Sequence, residues 1–216
     1  MKKRLNYRLG ESLQLDTPVR DLSFTVFDTE TTGFAIGAND RVIEIGGVLV
    51  EKMEVTDKTF QSFINPHRVI PAHITELTSI EQKHLEEAPS ALEAIDQFFQ
   101  FMVNHQSTGW VGHYLSFDAM VIKKELQREK FKFNEPMSFD TLDFINYLYP
   151  TWDMHDLEEY AHLFNTKVFT RHRALKDALT TAHVFVELLR RLEEKGITRL
   201  GDLLRLSGGK NNYYAL

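Results

Sequence analysis

The stretch Phe24-Thr25-Val26-Phe27-Asp28-Thr29-Glu30-Thr31-Thr32-Gly33 decides the fold, because strand-forming residues run directly into two acids and a glycine turn. Its first four residues predict a buried strand. Side chains two residues apart in an extended chain point the same way, so we expect Asp28 and Glu30 to leave the strand end side by side. The stretch therefore predicts a strand that ends in a pair of neighbouring carboxylates.

Two such carboxylates have a clear electrostatic consequence. At a separation of about 4 Å, two like charges repel by roughly 4 kcal/mol at an effective dielectric near 20. A divalent cation turns that repulsion into attraction. An isolated Asp-x-Glu pair is more often a turn with solvated acids, but the complete hexapeptide Asp28 to Gly33 favours a metal site.

Composition and charge limit the classes of protein to which the chain can belong. Its 216 residues are 43% hydrophobic and 26% charged, which suits one globular domain with a full-sized core. We expect no signal peptide and no membrane span, because no sufficiently long apolar run is present. The lack of cysteine excludes thiolate chemistry and fits a reducing, cytoplasmic environment. The net charge of −6 argues against a long clamp on duplex nucleic acid.

The hydrophobic pattern predicts the order of the elements. Residues 1–20 are predicted to be a short N-terminal appendage, residues 21–196 the folded domain, and residues 197–216 a C-terminal helix and tail. Strands at 41–51 and 55–65 follow the first one through short connections, which imply antiparallel neighbours. Later short strands alternate with helices, one of them with Ser116 as its expected N-cap. This order predicts a mixed α/β sheet with helices on both faces.

An apolar stripe predicts the last long helix. The stripe consists of Leu175, Ala178, Leu179, Ala182, Phe185, Val186, Leu189 and Leu192. On a helical wheel of about 100° per residue, Asp177 lies roughly 130° from the centre of this stripe. The wheel therefore places Asp177 away from the packed face, and core packing does not account for it.

Two further acids are expected near the first pair. Asp118 begins a helix after the short strand at 109–113, and Asp177 begins the last helix five residues after His172. Either acid alone is explained by the helix macrodipole. Four acids at strand or helix ends, with one histidine, are harder to explain by structure alone. Oxygen ligands of this number suit Mg²⁺ or Mn²⁺ rather than zinc.

Three motifs carry a resemblance to a known family. The chain resembles the DEDDh 3′-to-5′ exonucleases, typified by the proofreading ε subunit of bacterial DNA polymerase III, over about residues 23–192. The spacing from His172 to Asp177 matches the histidine branch of the family. In chain order the motifs are Phe27-Asp28-Thr29-Glu30-Thr31-Thr32-Gly33, Gly112-His113-Tyr114-Leu115-Ser116-Phe117-Asp118 and His172-Arg173-Ala174-Leu175-Lys176-Asp177.

The resemblance implies a fold and a reaction. The fold is a ribonuclease H-like mixed five-stranded sheet whose first three strands are antiparallel, with helices on both faces, and residues 21–196 become an exonuclease domain. Two Mg²⁺ or Mn²⁺ ions, held by Asp28, Glu30, Asp118 and Asp177, would flank the terminal phosphodiester. His172 would take a proton from the attacking water near neutral pH, and a nucleoside 5′-monophosphate would leave.

The resemblance also implies substrate contacts and partners. The backbone amide of Thr31 would lie near the terminal sugar, and Phe34 would stack on terminal bases unless it packs in the core. Arg171 and Arg173 flank His172 and are expected near the scissile phosphate. The partner would be the 3′ end of single-stranded nucleic acid, for which we favour DNA although the sequence does not decide between DNA and RNA. A DNA polymerase or repair complex is a further candidate partner.

Two positions depart from the family pattern. Tyr114 stands where asparagine is usual, and Ser79 stands where glycine is common. Neither replaces an expected metal ligand, so we expect activity to be retained.

Other functions remain open at this stage. A catalytically idle module could keep the fold to bind nucleic acid or to dock on a polymerase. An RNA-trimming exoribonuclease would use the same residues. A small-phosphoester hydrolase could be built on the same four acids.

Overall fold

A mixed five-stranded sheet forms the centre of the computed structural model, which describes residues 3–5, 7, 9 and 13–207. Its spatial order is β4-β3-β2-β5-β7; β2 pairs antiparallel with β3, β3 antiparallel with β4, and the remaining pairs are parallel. This confirms the predicted sheet and its antiparallel first three strands. The strands are β1 (Lys3–Arg4), β2 (Ser23–Thr31), β3 (Val42–Glu51), β4 (Glu54–Phe63), β5 (Gly109–Gly112), β6 (Phe131–Lys132) and β7 (Ser138–Asp140).

Helices cover both faces of this sheet. They are α1 (Ala72–Thr78), α2 (Gln82–Leu85), α3 (Ala91–Asn104), α4 (Leu115–Arg128), α5 (Thr141–Leu148), α6 (Leu157–Leu163), α7 (Ala174–Glu194) and α8 (Leu200–Leu206). The prediction that Ser116 caps α4 is wrong. The helix begins at Leu115, two residues earlier than that cap would place it, after Tyr114 in a left-handed conformation with φ of +58°, so Ser116 lies inside the first turn. No helix in the described part of the chain is both long and apolar enough to cross a membrane.

The alternation of side chains along β2 creates two hydrophobic cores. Phe24 and Val26 point to one face, where they pack with Phe185 of α7 and with residues of α5, α6 and α8. Phe27 points to the other face, where it packs with Phe98 of α3 and with residues of α4. Alternate side chains of a strand project to opposite faces of a sheet. The end of β2 is therefore held rigidly from both sides.

The segments on either side of the predicted domain pack against each other. The amide of Val19 donates to the carbonyl of Thr198 (2.8 Å), and the amide of Leu200 donates to the carbonyl of Thr17 (2.9 Å). Val19 and Leu200 are both buried in the core on the α7 face. The two-residue strands β1 and β6 also pair, in parallel. The expected tail beyond residue 207 lies outside the described residues.

Helix α7 is buried over a wider surface than the apolar stripe indicated. Phe185 of the stripe packs against Phe24 of β2, as the stripe predicts, but Asp177 outside the stripe is also only 6% exposed. The helix contacts β2, β3, α5 and α6, so its buried surface extends beyond the stripe. The prediction that Asp177 lies away from the packed face is therefore wrong.

Candidate active site

Three of the four predicted acids come together at the end of β2. Asp28 and Glu30 lie on β2, and Asp177 lies in the first turn of α7. One carboxylate oxygen from each of the three lies within 4.8 Å of the others. Oxygen donors at this separation are suited to a hard divalent cation. The donor set therefore fits a metal ion of the magnesium or manganese type.

Asp118 approaches the same strand from α4 but is held differently. Its Oδ1 accepts hydrogen bonds from the amide of Thr29 (3.0 Å) and from the Thr29 hydroxyl (2.5 Å). Thr29 lies between Asp28 and Glu30, so these bonds hold the start of α4 against the acidic end of β2. Asp118 lies outside the group of three oxygens, although its charge acts on Asp28 more strongly than any other neighbouring charge.

Burial and mutual repulsion raise the pKa values of the acids. Burial, followed by repulsion from Asp118 and Glu30, holds the pKa of Asp28 well above its usual range. Burial, with the charges of Asp177 and Glu44, raises the pKa of Glu30 to about 8. Burial raises the pKa of Asp118 to about 7 and also raises that of Asp177. The site thus concentrates negative charge that a cation would stabilise.

His172 lies directly beside Asp177. Its backbone has φ of +64°, and its amide donates to Oδ2 of Asp177 at 2.7 Å. The other oxygen, Oδ1, is buried and has no hydrogen-bond partner among the described residues. Arg171 Nε lies 3.2 Å from this oxygen as a charge contact without hydrogen-bond alignment, and Arg171 also approaches Asp156 at 3.5 Å. Asp177 therefore keeps one oxygen available for a metal.

The two predicted arginines have different surroundings. Arg171 contacts Asp177 itself, as described above. Arg173 instead forms a two-pronged ion pair with the fully buried Glu44 on β3, with Nη2 at 3.0 Å and Nε at 3.2 Å from its carboxylate oxygens. The Arg173 guanidinium also lies over the ring of Phe63. In this arrangement Arg173 serves α7 and β3, while Arg171 remains the arginine nearest the acids.

The predicted substrate contacts lie on the turn after β2. The Thr31 hydroxyl donates to the carbonyl of Gly33 at 2.8 Å, and a register shift between Glu30 and Thr31 interrupts the pairing with β3. Phe34 is 86% exposed and contacts only the ring of Phe117, at 5.8 Å between centroids, among the described aromatic rings. Core packing therefore does not explain Phe34, and its ring is accessible from solvent.

The histidine of the second motif is part of the supporting structure. His113 Nδ1 lies 2.8 Å from the Thr141 hydroxyl, and the ring packs edge-on against Tyr114 and Tyr160. Burial, followed by repulsion from Arg171, lowers the pKa of His113 to about 4. A histidine that stays neutral at physiological pH suits a packing role here.

Sequence reasoning missed three residues that build the site. Thr29 holds Asp118, Glu44 binds Arg173, and Gly46 lies where an added Cβ would be 2.0 Å from the amide nitrogen of Leu175. A signal for Glu44 was present, because it is a lone acid within the apolar run of β3. Nothing in the sequence identified its partner, since residues 44 and 173 meet only through the fold.

Both departures from the family pattern lie at left-handed backbone positions. Tyr114 precedes α4 with φ of +58°, and Ser79 ends α1 with φ of +58°. Asparagine and glycine adopt this conformation more readily than other residues. The usual family residues are thus the ones that these two turns favour.

The sequence is similar to those of known exonucleases and DNA polymerases. Residues 25–185 match the family model described as Exonuclease. The chain is 35% identical over 196 residues to the PolC-type DNA polymerase III of Bacillus subtilis, an alignment that covers 89% of this chain but 13% of that protein. The chain therefore spans about an eighth of the length of this relative.

Two solved structures share the fold. The nuclease domain of 3′hExo, a DEDDh family member bound to rAMP, superposes with a TM-score of 0.68 at 17% identity, covering 78% of this chain and 92% of that one. Exonuclease I of E. coli in complex with a dT13 oligonucleotide superposes with a TM-score of 0.66 at 16% identity, covering 81% of this chain and 42% of that one. With the three motifs, the matched family model and this fold, the chain belongs to the DEDDh exonuclease family.

Proposed function

We propose that this domain is a metal-dependent 3′-to-5′ exonuclease that removes nucleoside 5′-monophosphates from the 3′ ends of single-stranded DNA. The observation that carries the proposal is the group of three carboxylates from Asp28, Glu30 and Asp177 within 4.8 Å, with Asp118 and His172 beside them. Two bound divalent ions would stabilise the charge that develops on the attacking and leaving oxygens of a phosphodiester. The side chains of the site would hold these ions, take a proton from the attacking water and contact the phosphate.

Each residue has a role that follows from its position. Asp28 and Glu30 supply oxygens from a rigid strand end, and Asp177 supplies its unpartnered Oδ1. His172, half-buried beside Asp177, is the base that takes a proton from water. Arg171, already within 3.2 Å of Asp177, is placed to contact the phosphate that approaches the same oxygens.

The exposed ring of Phe34, beside the half-buried Phe117, supports a single-stranded substrate. Phe34 and Phe117 lie on neighbouring elements, and unpaired bases stack readily on exposed aromatic rings. The name of the Bacillus subtilis relative connects a related domain with DNA polymerase. We therefore propose single-stranded DNA as the substrate, a DNA polymerase or repair complex as the partner, and the cytoplasm as the location.

A degradation assay tests this function. The protein is incubated with Mn²⁺ and oligonucleotides labelled at the 5′ end, as single-stranded DNA, duplex DNA and RNA. We expect single-stranded DNA to shorten fastest from its 3′ end with release of 5′-mononucleotides. EDTA and the substitution Asp28→Asn should each abolish the shortening.

Other results would favour the competing functions. Binding of DNA without shortening would indicate an idle module. Cleavage of a chromogenic thymidine phosphodiester with intact oligonucleotides would indicate a small-phosphoester hydrolase. Faster degradation of RNA would contradict the proposed substrate, and it is the second candidate because a neighbour of similar fold is bound to rAMP.

A further inference from the structure

We propose that Glu44 is a positioning residue for this active site: it holds the start of α7 on β3 and thereby fixes His172 and Asp177 in place. The inference rests on the proposed exonuclease function. It adds a side chain that lies outside the group of three carboxylates. We call Glu44, Gly46, Arg173 and Ala174 the α7 anchor.

Each carboxylate oxygen of Glu44 accepts two hydrogen bonds. Oε1 accepts from Arg173 Nη2 (3.0 Å) and from Gln61 Nε2 (2.7 Å), while Oε2 accepts from Arg173 Nε (3.2 Å) and from the amide of Ala174 (3.0 Å). The side chain is fully buried. A planar guanidinium and a carboxylate held by two parallel bonds define an orientation as well as a distance. Arg173 and Ala174 are therefore fixed relative to β3.

Gly46 supplies the second part of the α7 anchor. It lies two residues after Glu44 on the same face of β3. Gly46 pairs in register with Asp28, and Glu44 pairs with Glu30. A Cβ at Gly46 would lie 2.0 Å from the amide nitrogen of Leu175 and 2.3 Å from the carbonyl carbon of Ala174. The backbone of α7 thus rests directly on the backbone of β3, beside the strand that carries the two acids.

The α7 anchor lies between the two groups that it would position. His172 immediately precedes Arg173, and the amide of Asp177 donates to the carbonyl of Arg173 at 2.9 Å. His172 also closes the segment onto Oδ2 of Asp177 with its own amide. His172 has φ of +64°, and a non-glycine residue keeps such a conformation only where its surroundings hold it. The bonds to Glu44 provide that restraint.

Stability alone does not account for Glu44. Replacement of a buried ion pair by apolar residues of similar size is often neutral or stabilising. Glu44 also lies opposite Glu30, so its charge adds to the repulsion within the acid cluster. A carboxylate at this position is better explained by the geometry that it imposes on α7.

The chain offers a matched control in Glu125 of α4. Glu125 is equally buried, accepts two-pronged bonds from Arg41 and accepts the amide of Val42 at 3.3 Å. It also pairs with Arg128. Glu44→Gln and Glu125→Gln therefore remove the same charge from similar surroundings. Glu125 lies about two turns of α4 away from Asp118.

The experiment compares both variants and Arg173→Lys with the wild type. With Mn²⁺ and a chromogenic thymidine phosphodiester, we expect Glu44→Gln to lower kcat by about 10- to 100-fold while KM changes by less than about threefold. Glu125→Gln should lower the thermal midpoint of unfolding by about as much as Glu44→Gln does, but it should leave kcat within about twofold of the wild type. Calorimetry with Mn²⁺ alone should show weaker binding for Glu44→Gln only, by about 10-fold.

The outcomes separate the inference from the proposed function. An inactive wild type would refute the proposed function, whereas an active wild type with equal kcat values for both glutamine variants would overturn the role of Glu44. If Glu44→Gln does not fold, Arg173→Lys decides the question because it keeps the charge but loses the two-pronged bond. A fall in kcat at constant KM supports positioning, and a rise in KM at constant kcat would instead place Arg173 on the phosphate and overturn the inference.

Discussion

Two sets of acids with little contact with solvent have opposite surroundings in this protein. Glu125 and Glu44 are buried, and each is neutralised by arginine at hydrogen-bond distance. Asp28 and Glu30 are half-buried beside further acids, and desolvation and repulsion raise the pKa of both. The first arrangement satisfies the charges within the chain. The second leaves them to be satisfied by something that binds.

This contrast distinguishes carboxylates that arginine neutralises from carboxylates that face other acids. A fold that needed only stability would not retain several buried acids that repel one another. The paired acids also mark where the chain is held together: Glu125 joins α4 to the start of β3, and Glu44 joins β3 to α7. At these two junctions Val42 and Glu44 pair in register with Thr31 and Glu30, at the end of the strand that carries two of the unpaired acids. The paired set thus forms the frame for the unpaired set.

The largest expected effect comes from Asp28→Asn, which removes one unpaired acid. We expect activity with Mn²⁺ to fall by roughly 1,000-fold, because a charge that stabilises the transition state is lost. Without metal, the same variant should unfold at higher urea concentration than the wild type at about pH 8. Desolvation and repulsion make ionisation of Asp28 costlier in the folded than in the unfolded chain, and asparagine has no such cost. A loss of both activity and metal-free stability would contradict the comparison.

Removing Glu125, the paired acid that does not contact α7, should give the opposite pattern. Glu125→Ala leaves Arg41 and Arg128 without their shared carboxylate, and breaking a buried pair in this way typically costs about 3 kcal/mol or more. We expect the free energy of unfolding in urea to fall by about that amount, with kcat of the remaining folded protein nearly unchanged. A large loss of kcat would show that Glu125, like Glu44, positions the site, and would contradict its use as a control.

Gly46→Ala tests whether α7 must touch the sheet. The new methyl group would lie 2.0 Å from backbone atoms of α7, so the helix start must shift. We expect a loss of about 2 to 3 kcal/mol in unfolding free energy, typical of overpacking, together with weaker Mn²⁺ binding. Gly37→Ala is the control, because a Cβ there meets no atom within 4 Å.

The pH dependence tests the unpaired acids as a group. Their folded-state pKa values are raised, so their contribution to metal-free stability is complete below the ordinary value of about 4. It is lost as pH rises through about 7 for Asp118 and about 8 for Glu30. Metal binding requires the deprotonated acids. We therefore expect Mn²⁺ to raise the thermal midpoint more at about pH 8.5 than at about pH 6, by the equivalent of roughly 2 kcal/mol.

A stabilisation by Mn²⁺ that is equal at both pH values would contradict this assignment. Glu30→Gln provides the control, since it removes the acid whose pKa lies near 8. Its dependence on pH over the upper part of this range should be weaker than that of the wild type.

The sequence predicted the unpaired acids better than the frame. Asp28 and Glu30 follow from strand alternation, and the strands and helices near Asp118 and Asp177 follow from local hydrophobic pattern. Glu44 was not predicted because its role depends on Arg173, which lies 129 residues away and meets it only in the folded chain. The burial of Asp177 on α7 was missed for the same reason, since the contacts of this helix with several elements extend beyond its apolar stripe.

The smallest expected effects concern the two left-handed positions. Ser79→Gly should raise the free energy of unfolding by about 0.5 to 1 kcal/mol, because glycine adopts φ of +58° without the clash of a Cβ. Tyr114→Asn should give a smaller gain, of about 0.5 kcal/mol, since asparagine tolerates this region better than tyrosine. Ser79→Ala keeps the Cβ and should give no gain in the same urea titration.

These two turns extend the comparison from charges to backbone conformation. Ser79 follows α1, which carries none of the candidate site residues. Tyr114 lies between β5 and α4, the helix that carries Asp118. If both substitutions stabilise the fold but only Tyr114→Asn alters KM for an oligonucleotide, the backbone strain at Tyr114 contributes to substrate binding. It would then be, like the unpaired acids, a feature of the site that lowers the stability of the fold. If neither alters KM, the strain at both turns is independent of substrate binding and the comparison is limited to the charged groups.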